Sequence, residues 1–118
     1  MECHSTLLVV KNLEESLDFY VNTLGISLIE HHGDSAMLMA GRHKIVMFEG
    51  SAEAVEYKHG QQANSTLLFA VNDLDKKVNQ LKSKNVVFVH QMPNQNRWGR
   101  YSAFRDPSGI VHELVEYF

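Results

Sequence analysis

Cysteine is almost missing from this chain. Cys3 stands alone among 118 residues, so neither an intrachain disulfide nor a cysteine-based metal cluster can form. Positive charge is not in excess either: 11 Lys and Arg against 14 Asp and Glu leave a net charge of −3. Nucleic acid is therefore not the expected partner, because neutralising phosphates takes a basic face. Long apolar runs are absent, the longest being five residues at Ala36–Ala40 and Leu67–Val71. On that basis neither a membrane span nor a secretory leader is expected, and a cytoplasmic location is. No phosphate-binding glycine loop, nucleophile elbow or Cys/His pair is found, and none of the seven histidines forms an H-x-x-x-H or H-E-x-x-H pair. What remains is a soluble globular composition, 44% hydrophobic and 21% charged, long enough for one domain with its own core.

The order of residues carries a repeat. Leu8-Val9-Val10-Lys11-Asn12-Leu13 and Phe69-Ala70-Val71-Asn72-Asp73-Leu74 share the same punctuation at an offset of 61 residues: an apolar run, an Asn or Asp, then Leu. In the first copy Leu7–Val10 reads as a strand. Asn12 caps a helix whose stripe is Leu13, Leu17, Tyr20 and Leu24, and Gly25 ends it. Ile26–His32, Ala36–Ala40 and His43–Glu49 read as strands, giving the order β-α-β-β-β. In the second copy Thr66–Val71 is the strand and Asp73 the cap. Leu74, Val78 and Leu81 form the helical stripe, and the helix ends near Lys84-Asn85. Val86–His90, Tyr101–Arg105 and Val111–Tyr117 follow as strands, with a turn at Asp106-Pro107-Ser108-Gly109. Unit one is expected over about 4–50 and unit two over about 65–118. The polar stretch between them, 51–64, reads as a linker with one helical turn at Ala52–Tyr57.

Two segments carry a family resemblance. The run FYVNTLGISL at Phe19–Leu28, and WGRYSAFRDPSGIVHELVEY at Trp98–Tyr117, are similar to the vicinal oxygen chelate superfamily, the glyoxalase, bleomycin-resistance and extradiol dioxygenase group. The resemblance covers essentially the whole chain. It implies an α+β fold in which two tandem βαβββ units form curled mixed sheets around a cavity. It also implies a homodimer, sometimes formed by exchange of units.

Metal-dependent members of that group place His or Gln near the start of each unit's first strand and Glu on each unit's last strand. Carried over residue by residue, the first-strand positions fall on Ser5 and Thr66, and the last-strand positions on Val46 and Glu113. Glu113 alone is a usable ligand, whereas a site should supply three or more. His4 and His112 neighbour the ligand positions with the wrong strand parity. No cofactor is therefore expected, although a divalent Ni, Zn, Mn or Fe stays open through a shifted ligand set.

Parity places Ser5, Leu7 and Val9 on one cavity-facing side, Thr66 and Leu68 on the corresponding side of the second unit, and Glu113, Val115 and Tyr117 on the last strand. Trp98, Arg100 and Tyr101 follow a polar loop and are expected at the cavity mouth, where flat rings suit planar ligands. Glu113 is the candidate acid/base. Scattered strand and surface positions account for the histidines, and core filling for Met37, Met39 and Met47. The expected function is binding of a small organic molecule in an apolar cavity without the usual metal. A metal-dependent glyoxalase- or dioxygenase-like lyase or oxidoreductase, and an interaction module without a site, are the alternatives.

Overall fold

The computed structural model describes residues 1–51 and 53–118. The chain divides into two compact units, Met1–Glu53 and Ala54–Phe118.

In the first unit the strands are β1 (Ser5–Val10), β2 (Ser27–His31), β3 (Ser35–Ala40) and β4 (His43–Glu49), arranged β1-β4-β3-β2. β1 runs parallel to β4, and the other neighbours are antiparallel. Alternation decides which side chains go inside. Leu8 and Val10 of β1 are buried with Ile45 and Met47 of β4 and Leu38 of β3. Leu7, Val9 and Phe48 lie on the opposite, exposed side.

Helix α1 (Leu13–Leu17) starts where Asn12 accepts the Glu15 amide at 2.9 Å. The expected single helix to Leu24 changes character at Asp18: residues Asp18–Thr23 form a π-helical segment. There the Leu24 amide bonds the Phe19 carbonyl, five residues back, at 2.9 Å. Tyr20 is fully buried on this wider turn, and Gly25 takes the left-handed conformation (φ 78°) that ends it.

The second unit repeats the topology. Its strands are β5 (Leu68–Ala70), β6 (Val87–Phe88), β7 (Asn94–Gln95), β8 (Gly99–Arg105) and β9 (Val111–Tyr117). The sheet order is β5-β9-β8-β6, with β7 also pairing β8. β5 runs parallel to β9, as β1 does to β4. Helix α2 (Leu74–Ser83) is capped by Asp73, which accepts the Lys76 amide at 3.1 Å. Leu74, Val78 and Leu81 are buried, and the helix packs on β8 and β9, which bury Phe104, His112 and Leu114. Asn85, in the left-handed region at φ 66°, follows its end. The turn before β9 is built by Asp106, whose carboxylate accepts the Ser108 and Ile110 amides at 2.9 and 2.7 Å.

Several sequence expectations need correction. The strands expected at Thr66–Val71 and Val86–His90 shrink to Leu68–Ala70 and Val87–Phe88. Glu53–Tyr57 is not helical, and Ala52 lies outside the described residues. The stretch expected as a linker is in part structural core. Tyr57 is buried against Ala103 and Val111, with Ala63 and Val89 beside them. An aromatic side chain inside a polar stretch has no periodicity to announce it.

Gly99 is required sterically. A Cβ there would collide with the Glu116 carbonyl oxygen and lie 3.0 Å from Tyr117 Cα, both backbone atoms of the paired strand. Gly99→Ala should therefore destabilise the protein by about 1–3 kcal/mol. Gly33→Ala, where a Cβ meets nothing within 4 Å, should stay within about 0.5 kcal/mol. Urea unfolding of both variants checks this. A second expectation concerns His112, which is 1% exposed and packed by Phe69 and Phe104. Burial pulls its imidazole from the ordinary 6.5 down to about 4. Between those values the unfolded chain binds the proton and the native chain does not. The stability is thus complete above pH 6.5 and falls by about 3 kcal/mol as the pH drops toward 4. Unfolding free energies measured across that window should show a flatter slope in His112→Leu than in the native protein.

Candidate functional site

Glu113 sits at the centre of β9. It stands opposite Leu68 of β5 on one side and Ala103 of β8 on the other. Strand alternation turns its side chain to the sheet face away from α2, and it is 3% exposed. A carboxylate removed from water needs hydrogen-bond donors. Two come from the segment that precedes β5. The Tyr57 hydroxyl donates to Glu113 Oε2, and His59 Nδ1 lies 2.7 Å from the same oxygen. Tyr57 and His59 lie two residues apart on either side of Lys58, where the chain enters a turn. His59 also stacks on Tyr101, with ring centroids 4.2 Å apart and planes 19° from parallel.

Electrostatics follow from this packing. Burial, and then the hydrogen bond to Glu113, raise the Tyr57 phenol far above its usual range, so it stays a neutral donor. Tyr101 is raised in the same direction, first by burial and then by the Glu113 charge. Around these groups the second unit forms a cavity of about 390 Å³. Thr66, Leu68, Trp98, Tyr101, Glu113 and Tyr117, all expected at the site, line it together. Among the described residues, its lining contains no Lys or Arg. Trp98 and Tyr117 keep 65% and 57% of their surface exposed, and the Arg97 guanidinium lies over the Trp98 ring, 5.6 Å from its centre. The Trp98 backbone is held by Asn96, whose side-chain Oδ1 accepts the Trp98 and Gly99 amides at 2.9 and 3.1 Å.

Other expected residues are placed elsewhere. Arg100, one residue from Tyr101, has the opposite parity and does not line the cavity. Its guanidinium makes a two-pronged pair with Asp75 at 3.0 and 3.1 Å. That pair holds the Asp75 carboxyl below its usual range and raises Arg100. Ser5 and Leu7 lie on β1 of the first unit, where Leu7 is exposed. The register fixes the equivalence of the two units: Val46 stands opposite Leu7 as Glu113 stands opposite Leu68.

Tyr57 and His59 were not legible as site residues. Their sequence signal is an aromatic and a histidine at a spacing of two within a polar stretch, which many exposed loops share.

A divalent metal does not fit the donors present. Among the described residues no group of three or more His, Cys, Asp or Glu could hold one. The Glu113 oxygen that faces donors is engaged by Tyr57 and His59. The family's first-strand position in this unit carries the Thr66 hydroxyl, a poor transition-metal ligand.

Known proteins agree on the scaffold. The profile of the Glyoxalase/Bleomycin resistance protein/Dioxygenase superfamily matches residues 3–114. An uncharacterized protein of Bacillus subtilis (strain 168), YraH, is 31% identical over 121 residues, covering 94% of this chain and 92% of that protein. The crystal structure of SMU.1112c superposes with a TM-score of 0.83 at 22% identity, covering 98% of each chain. That of TnmS3, an antibiotic binding protein from Streptomyces sp. CB03234, gives 0.71 at 23% identity over 98% of this chain and 96% of that one.

The Tyr57–Glu113 bond is open to direct measurement. Tyr57→Phe keeps the ring and deletes the donor, so the buried carboxylate loses one of its two partners. The variant should be less stable by about 1–3 kcal/mol in urea unfolding. A change within experimental error would mean the bond contributes nothing.

Proposed function

The chain belongs to the Glyoxalase/Bleomycin resistance protein/Dioxygenase superfamily, and from that premise we propose that it binds a small, flat organic molecule in the cavity beside Glu113. The observation that carries this reading is a cavity of about 390 Å³ walled by open aromatic faces. Its buried carboxylate already has donors from the protein itself. Such a wall offers stacking area and a few fixed polar groups, which is how small-molecule sites are generally built. Charge narrows the ligand class: the Glu113 carboxylate in the wall and the Arg97 guanidinium over the Trp98 ring, 5.6 Å from its centre, are of opposite sign, which favours neutral flat molecules. The printed description of TnmS3 as an antibiotic binding protein supports a binding role on this scaffold.

Binding proceeds without a resident divalent metal, because the donor set does not fit one. The protein works in the cytoplasm as a homodimer. The support for dimerisation is the apolar sheet side of the first unit, where Leu7, Val9 and Phe48 are 60%, 42% and 43% exposed.

Thermal unfolding against two panels tests the reading, one of flat neutral and cationic aromatic compounds and one of divalent metals. A ligand present at about 100 times its Kd adds about 2.7 kcal/mol to stability by mass action. Organic compounds are expected to raise Tm and to perturb the fluorescence of Trp98, the single tryptophan. Trp98→Ala should weaken binding by about tenfold or more, the share of one stacked ring. A response to metals alone would overturn the reading.

A further inference from the structure

Residues 57–66 form one wall of the cavity. All of them except Lys58 and Gln61 line it. The backbone hydrogen bonds of this stretch close on themselves. The Gln61 and Gln62 amides bond the Lys58 carbonyl at 2.9 and 2.8 Å, and the Lys58 amide reaches the Gln62 carbonyl at 3.4 Å. Among the described residues, no backbone bond ties the stretch to the sheet before Leu67, whose carbonyl accepts the Glu113 amide at 2.9 Å. Side chains make the attachment instead. Tyr57 packs on Ala103 and Val111 and donates to Glu113 Oε2. His59 Nδ1 lies 2.7 Å from the same oxygen, and the His59 ring stacks on Tyr101 at 4.2 Å.

The closed arrangement also carries backbone strain. Gly60 at φ 73° and Ala63 at φ 74° are both left-handed, a region glycine enters freely and alanine rarely. Ala63 is kept there while it packs beside Tyr57. Lifting the stretch releases that strain. It costs the sheet nothing, because the β5–β9 and β8–β9 pairings use none of residues 57–66. Glu113 exchanges its two protein donors for water, which spares it the penalty of an unpaired buried charge.

We propose that residues 57–66 are a lid, latched to Glu113 through Tyr57 and His59 and hinged at Leu67, which opens as one unit while the sheet beneath stays folded. The proposal rests on the cavity being the ligand site and gives that site its regulation. The closed lid supplies much of the wall, so a ligand that touches the wall favours the closed form. The open lid widens the cavity for entry and release. Glu113 is the catch of this lid, and its two donors are the parts that let go.

Hydrogen exchange of the native protein, followed by NMR, tests the lid with no ligand present, so its outcome is separate from that of the binding reading. A single detached turn does not hold itself together in water, so the Gln61 and Gln62 amides report opening. They should exchange more slowly than in an unstructured peptide and faster than the most protected amides of β8 and β9. Their rates should hardly change with urea below the unfolding transition, since lifting the lid exposes little surface. Tyr57→Phe, which removes one donor of the latch, should speed both amides about tenfold or more. Gly60→Ala strains the closed turn, and its Cβ meets nothing within 4 Å, so it should speed them about fivefold without touching the latch. Exchange at the unstructured-peptide rate would mean that no lid closes. Exchange with the rate and urea dependence of β8 and β9 would mean that the stretch opens only when the unit unfolds. Either result overturns the proposal, as do unchanged rates in both variants.

Discussion

The second unit is organised around the desolvation of one carboxylate. Glu113 lies in the middle of a central strand, flanked by β5 and β8, where water cannot reach it. A buried ionisable group without partners costs several kcal/mol, so its surroundings must supply donors. Neither neighbouring strand does so at the paired positions, which carry Leu68 and Ala103. The donors come instead from the chain before β5. This explains why a polar stretch with little regular structure contributes Tyr57 to the core. Ala103 is small enough to leave room for the Tyr57 ring, which packs against it and Val111. One electrostatic requirement thus orders a segment, closes part of a sheet face and shapes the cavity beside it.

What the sequence could reveal follows from the range of the forces involved. The repeat was legible because cap residues and apolar alternation are local: Asn12 and Asp73 both proved to be N-caps, and the parity of β9 put Glu113 on the face it occupies. The same parity argument should have removed Arg100 from the site, since Tyr101 beside it faces the cavity. The π-helical segment and the contribution of Tyr57 and His59 were not legible. The first is a one-residue change of hydrogen-bond spacing inside a helix whose apolar stripe stays the same. The second depends on contacts to a residue more than 50 positions away. No periodicity encodes either.

Two adjacent residues of β9 show how alternation separates chemistries. His112 and Glu113 are both buried, on opposite faces of one strand. His112 faces aromatic core, and burial pulls its basicity down until it is a neutral packing group. Glu113 faces hydroxyl and imidazole donors. Moving either by one position would put a carboxylate among the phenylalanines and an imidazole against Tyr57, so the strand's register itself specifies which group is available for chemistry.

The comparison of the two units carries the argument further. At the position of Glu113 the first unit has Val46, flanked on its strand side by Leu7, Val9 and Phe48, with the Ser5–Lys44 pair at the strand's start. The duplicated topology therefore does not carry duplicated chemistry. In the second unit the corresponding position holds a carboxylate already committed to protein donors. The cavity of the second unit is accordingly lined by aromatic rings, amides and the partly exposed His59 imidazole beside that one carboxylate.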